Sequence, residues 1–307
     1  MNRTLKGILL AGTTGVFWGL TTLATKLIGK AGVAISTAVF SRMVIVVLTV
    51  GPWLFFCHRE QLRIPRRDFV RIFFFSIFGP TGLYLGFMLS IVYLNAATAL
   101  VLHYTYPMLT VLCSSLVTGE RPGRFDYLGA ALVTLGVFCS VLTPEWTLDT
   151  NIDLRGVFWG VVAVIGLAGQ TLLVRATVTK GGITRWAFFF YSHLCSILWT
   201  GLYITANGQW GEFAGITPYV AMLILVPTVM GCLIGYALYY TSLQYVPASV
   251  TSLMASLEIV SGVALTGLFA GLSPTVPELT GCVCIFAAIA LVSLSRVHLP
   301  HLPHPRA

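Results

Sequence analysis

Residues 237–262 read ALYYTSLQYVPASVTSLMASLEIVSG. One apolar run closes near Ser242, a joint of four residues (QYVP, 244–247) follows, and a second apolar run starts at once. That second run carries a single carboxylate, Glu258, whose nearest charged neighbours in the sequence are Glu212 and Glu278. A helix needs about 20 apolar residues to cross a bilayer core of about 30 Å. Two such runs with so short a joint make a tight helical hairpin inside a membrane. The fold then depends on how many more runs of this kind the chain holds.

Composition agrees. Of 307 residues, 57% are hydrophobic and 9% charged, and the mean hydropathy is +0.88. A water-soluble domain carries about a quarter charged residues, because its surface needs them. The chain is therefore read as an integral membrane protein. A net charge of +8 would otherwise suggest nucleic acid, but in a membrane protein the placement of Lys and Arg matters more than their sum, and no nucleic-acid partner is expected. The seven cysteines show no CxxC pair. They are read as small buried hydrophobes, not as disulfide partners or metal ligands.

Ten runs are long enough, at about 5–28, 34–57, 70–92, 95–117, 126–143, 154–177, 184–205, 217–241, 247–270 and 274–296. They exceed barrel strands in length and do not alternate, so helix is the spanning element. The first follows Arg3 and Lys6 as a signal peptide would, but no small-x-small cleavage site comes after it, and it is kept as a helix. With the N-terminus in the cytoplasm, the inside loops hold Arg3, Lys6, Arg59, Arg63, Arg66, Arg67, Arg71, Arg121, Arg124, Arg175, Lys180, Arg185, Arg296 and Arg306. The outside ends hold Lys26, Lys30 and Arg155, and Arg42 falls within the second run. This positive-inside bias expects both termini to be cytoplasmic.

Sliding the chain against itself by 152 residues pairs Gly79 with Gly231, Tyr84 with Tyr236, Ser90 with Ser242, Tyr93 with Tyr245, Pro122 with Pro274 and Gly129 with Gly281. Glycine, proline and tyrosine matches carry more weight than apolar ones in such a background. Two five-helix units are expected, 1–145 and 146–307, the second with a short cytoplasmic tail. Five is odd, so the second unit enters the membrane the opposite way round. The expected fold class is an all-α integral membrane protein of ten transmembrane helices, arranged as two inverted-topology five-helix repeats. Inverted halves are the architecture of alternating-access carriers.

The stretches ALYYTSLQYVPASVTSLMASLEIVSG (237–262) and LNAATALVLHYTYPMLTVLCSSLVTGERPGRFDYLGAALVTLGV (94–137) resemble the drug/metabolite transporter superfamily, EamA-like branch. GVFWGLTTLATK (15–26) is similar to that family's first helix, and Arg42 stands where an arginine is frequent early in its second helix. The resemblance covers essentially the whole chain. It implies a carrier of small metabolites, mostly an exporter or exchanger. The second half departs from the family pattern, with Gly271–Leu272 where Gly–Glu is common and Glu258–Ile259 where Glu–Pro is common.

Ionisable groups inside a membrane are costly and mark pathways. Glu258, near the middle of the ninth run, is read as a proton-coupling carboxylate or the counter-ion of a cationic substrate group. Its structural alternative is a partnership with Arg42 or a tyrosine hydroxyl. Arg42 is read either as a fork donor to a substrate carboxylate or phosphate or as an inter-helix lock. His103 and Arg42 are expected at similar depth. His103 and His193 suit proton relay or simple helix packing, and His193 joins Glu258 as a proton-coupling candidate. Tyr104 and Tyr106 stand just before Pro107, whose ring frees a backbone carbonyl in mid-membrane. Tyr84, Tyr236, Tyr239 and Tyr240 add aromatic faces for apolar, aromatic or cationic groups. Trp18 and Gln170 lie in Gly-rich stretches of the first and sixth runs and are read as gate or cavity residues.

His298, His301 and His304 repeat at three-residue spacing in the tail. They are read as a solvated polyproline-like segment and not as a metal site. No Walker motif or HExxH is present, so no cofactor and no enzymatic chemistry are expected. The expected partners are a small-molecule substrate, the bilayer and, at a coupled site, a proton. A second copy of the chain, meeting through the uncharged fifth and tenth helices, is left open. The leading function is a secondary active transporter moving an amino acid, amine or related amphipathic compound outward or in exchange. Organic cations, drugs and nucleotide-derived metabolites are the alternative cargoes. A membrane-embedded enzyme and a channel are the alternative functions.

Overall fold

The computed structural model describes residues 2–30, 34–94, 96–147, 153–270 and 273–298. Of the features named above, Asn95, Gly271, Leu272, His301, His304 and Arg306, and the side chains of Lys26, Lys30 and His298, lie outside the described residues.

The helical runs are α1 (Arg3–Lys30), α2 (Ile35–Cys57), α3 (Arg66–Tyr93), α4 (Ala96–His103 then Tyr106–Val117) and α5 (Arg124–Ser140). The second half holds α6 (Leu154–Lys180), α7 (Arg185–Ala206), α8 (Pro218–Ser242), α9 (Ala248–Ala255 then Leu257–Ala270) and α10 (Val276–His298). Among the described residues, eight of them are long and apolar enough to cross a membrane by length and composition. Polar caps set several starts. Thr184 and Thr217 accept from backbone N–H groups in the first turns of α7 and α8, and Asp126 accepts from Gly123 N–H at 2.9 Å to begin α5. Side chains such as Leu48, Phe56, Leu116, Phe158, Val283 and Phe286 face outward, as an apolar girdle against lipid requires.

The two halves are offset copies. α3 and α8 start at residues 66 and 218, α4 and α9 at 96 and 248, and α5 and α10 at 124 and 276, each pair 152 apart. Packing follows the same rule. α1 lies on α8 and α9 while α6 lies on α3 and α4; α2 pairs with α7, α5 with α10, and α4 crosses α9. With five helices per half, the two repeats run in opposite directions through the membrane.

The distortions repeat as well. α3 widens into π-type turns over Ile77–Gly86 and α8 over Thr228–Gly235. α4 breaks at Tyr104–Thr105 and α9 at Ser256. Broken helices are tolerated at membrane depth where protein, not lipid, surrounds the freed backbone. Glycine makes that contact close. A Cβ at Gly15 of α1 would stand 2.8 Å from the Ala255 carbonyl oxygen and the Glu258 nitrogen, and one at Gly166 of α6 would meet the carbonyls of Phe78 and Gly79. Only a residue without a side chain lets these backbones touch.

All seven cysteines are free thiols. Cys57, expected to be buried, is exposed at the end of α2, where the helix runs out of neighbours to pack on.

Candidate transport site at the two helix breaks

Pro107 has no N–H, so the His103 carbonyl loses its partner one turn back and α4 bends there. The bend turns Tyr104 and Tyr106 inward, and both are buried. Tyr106 donates from its hydroxyl to the Ser252 carbonyl at 3.1 Å, one turn before the α9 break. The Tyr104 hydroxyl hydrogen-bonds to the Glu258 carboxylate just beyond that break. The two broken helices therefore hold each other through tyrosines of one half and the backbone and carboxylate of the other.

A second set of aromatic groups continues from this crossing. Trp18 of α1 lies 5.1 Å from the Tyr236 ring and 5.0 Å from the Tyr239 ring, and its indole N–H donates to the Gly231 carbonyl at 3.1 Å. That carbonyl belongs to the π-type turn of α8, so the distortion supplies the acceptor. Thr14 reaches the Gly235 carbonyl in the same turn at 3.2 Å. On the other flank, Gln170 donates to the Tyr240 hydroxyl, and Thr171 and Tyr239 hydroxyls are 2.8 Å apart. Trp18 and Gln170 occupy equivalent repeat positions, 152 apart, and both grip α8.

Phe189 links the Tyr236 and Tyr240 rings to His193, whose ring centroid is 4.2 Å from it. His193 Nδ1 pairs with the Phe189 carbonyl at 2.8 Å. Beyond it stands Tyr84, 6.4 Å from the His193 ring and 5.2 Å from the Arg42 guanidinium carbon; its hydroxyl is 3.3 Å from Cys232 Sγ. Arg42 is 8% exposed. Its Nε has no hydrogen-bond partner among the described residues, and it forms no ion pair with a described carboxylate. A cationic side chain in mid-membrane costs about 2.5–3.5 kcal/mol on insertion scales. One cation–π contact returns about 0.5–2 kcal/mol, so Tyr84 alone does not offset the burial.

The ten expected binding residues thus form one continuous run, from Arg42 through Tyr84, His193 and the α8 tyrosines to Tyr106, Tyr104 and Glu258. His103 packs against Phe87 at 4.4 Å and against Tyr104 and Tyr106, while Arg42 sits on Tyr84. Phe87 and Tyr84 lie about one turn apart on α3. Thr171, Cys232 and Phe189 complete the lining and carry no signal in the sequence beyond an apolar background.

One end of the bundle is latched. Arg175 donates from Nε to Glu120 at 2.8 Å and from its guanidinium to the Leu243 carbonyl. Glu120 also accepts from the Ala248 N–H at 3.4 Å, and Lys180 Nζ donates to the Val117 carbonyl at 2.7 Å. These bonds tie the end of α4, the end of α6 and the α8–α9 joint together. Nearby, Asp126 is buried against Arg296 and Ser249. All of these lie at the basic end of the chain, where a cavity of about 530 Å³ opens beside the latch, lined by Trp53, His58, Arg185, Trp186 and Gln244 among others. Among the described residues, no group of three or more His, Cys, Asp or Glu side chains is placed to hold a metal ion.

Similarity to known proteins agrees with this architecture. The inner membrane transporter YicL of Salmonella typhimurium, itself uncharacterised, is 23% identical over 306 residues, covering 96% of this chain and 97% of its own. The uncharacterised transporter YxxF of Bacillus subtilis is 24% identical over 265 residues, 84% of this chain and 81% of its own. A crystal structure at 17% identity superposes with a TM-score of 0.75 over 95% of this chain and 98% of that one, which establishes the fold alone. The model of the EamA-like transporter family matches twice, over residues 5–142 and 154–294. With ten helices in two inverted repeats and a polar seam where their broken helices cross, this chain is a multi-pass membrane transporter, not an enzyme, and belongs to the EamA-like transporter family.

Proposed function

We propose that the chain is a secondary carrier that moves a small amphipathic metabolite, such as an amino acid or amine, by alternating access, outward or in exchange. The reading rests above all on one observation. The breaks in α4 and α9, contributed by oppositely directed halves, meet through Tyr106–Ser252 and Tyr104–Glu258. A site shared by two inverted halves is exposed to either face when the halves rock. The moving units are residues 1–145 and 146–307. The basic end faces the cytoplasm, with both termini there.

In this scheme the Glu120–Arg175 latch closes the cytoplasmic end. Releasing it lets the α8–α9 joint part from α4 and α6, so that cargo collected in the adjoining cavity reaches the tyrosines. Glu258 takes a proton or a cationic group of the cargo, and Trp18 and the α8 tyrosines hold its apolar body. Counterflow in proteoliposomes across a metabolite panel, with and without a pH gradient, tests the scheme. Saturable exchange of at least one compound is expected, and its absence for every compound would end the carrier reading.

A further inference from the structure

Arg42 is the Lys or Arg of this chain farthest from either end of an apolar run, and it is buried without a hydrogen-bond partner for Nε and without a described carboxylate to pair with. The Tyr84 face, 5.2 Å away, partly shields it. Across Tyr84, the Nε2 of His193 is another buried nitrogen with no hydrogen-bond partner among the described residues, its Nδ1 being engaged with the Phe189 carbonyl. Buried charges in proteins are paired, because an uncompensated one forfeits its solvation. The protein thus builds a fixed cationic fork into an aromatic wall and leaves its anion to come from elsewhere. Guanidinium geometry suits a carboxylate held by two parallel N–H bonds.

We propose that the missing anion is part of the cargo: Arg42 seats a carboxylate, and the substrate class narrows to small carboxylate-bearing amphiphiles. An amine without an acid group is then a poor substrate. The inference rests on the carrier reading above. One guanidinium matches one negative charge, which favours a carboxylate over a phosphate monoester carrying close to two. The opposite end of the seam, at Glu258, accepts a cationic group or a proton. A cargo with both groups spans the tyrosines between them.

The test uses matched compounds in counterflow: amino acids, their carboxamides and their decarboxylated amines, with wild type, Arg42→Gln and Arg42→Lys. A charged hydrogen bond of this kind corresponds to a KM lower by roughly 10–100-fold for the acid than for its carboxamide in wild type. In Arg42→Gln that ratio falls to about one, and Arg42→Lys recovers part of it. Size-exclusion profiles establish that each variant folds. Equal KM values for acid and carboxamide in wild type overturn the proposal while leaving the carrier reading standing. So does an equal loss for both compounds in a folded Arg42→Gln, which marks the arginine as a structural support. No exchange of any compound by wild type removes both readings together.

Discussion

α3 and α4 on one side and α8 and α9 on the other bend at matching places, yet their prolines do not match. The first half carries Pro80 inside its π-type segment and Pro107 after its break. The second carries Pro227 just before its π-type segment and Ile259 where Pro107 would fall. Proline therefore explains the α4 break but not the α9 one. Each half also has a glycine neighbour pressed against one of its partner half's distorted stretches, Gly15 of α1 at the α9 break and Gly166 of α6 at the α3 distortion. The α9 break thus goes with its close packing on α1, and the α4 break with Pro107.

The residues at the breaks differ in kind. The first half offers tyrosine hydroxyls, while the second offers a carboxylate and backbone oxygen. Removing the carboxylate has the largest expected effect. Glu258→Gln should slow pH-gradient-driven transport on the order of 10–100-fold, the scale of a lost charged hydrogen bond. Full proton-linked transport by this variant would show that coupling lies elsewhere.

The latch ranks next, since Glu120 pairs with Arg175 while residue 272, its repeat equivalent, is a leucine. Arg175→Gln should speed maleimide labelling of Cys232 from the basic face by about tenfold, for a pair worth about 1.4 kcal/mol, in a chain whose other six cysteines are replaced. An unchanged rate would mean that this pair does not control access. Smaller still is Tyr106→Phe. Losing the bond to Ser252 should lower unfolding stability by about 0.5–1.5 kcal/mol, read as a shift of Tm in detergent; no shift would place the joining of the halves elsewhere. The smallest effects come from exchanging the prolines. Ile259→Pro should cost well below the ~3 kcal/mol of a proline in an intact helix interior, because the helix is already broken there. A full-size loss would return the α9 bend to its own sequence.

Much of the fold was legible because each run is near bilayer length, and the helices start within a few residues of the runs. The α4 break was readable from Pro107. The α9 break was not, since nothing in SLMASLEI marks it and its cause lies on α1, more than 200 residues away. The same separation hid the latch. Glu120 is visible as part of a family motif and Arg175 as a basic residue near a helix end, but their meeting is tertiary. Tyrosines and the buried charges announced the seam, because such groups are expensive in lipid. Phe189, Cys232 and Thr171 did not, because in an apolar run they look like any lipid-facing or packing residue.

The one-sided latch has a kinetic consequence. In the proposed carrier, an ion pair whose Glu120 has Leu272 as its repeat equivalent in the sequence would make the two resting states of the empty protein unequal in free energy. A ligand's apparent affinity scales with the fraction of protein already in the competent state. The half-saturation concentration should then be higher at the latched face than at the opposite one, although the same residues do the binding. Such asymmetry cannot move cargo against its gradient, since the cycle must close at equilibrium. It sets the concentration at which each side of the membrane engages the carrier, and a single substitution at Arg175 would draw the two values together.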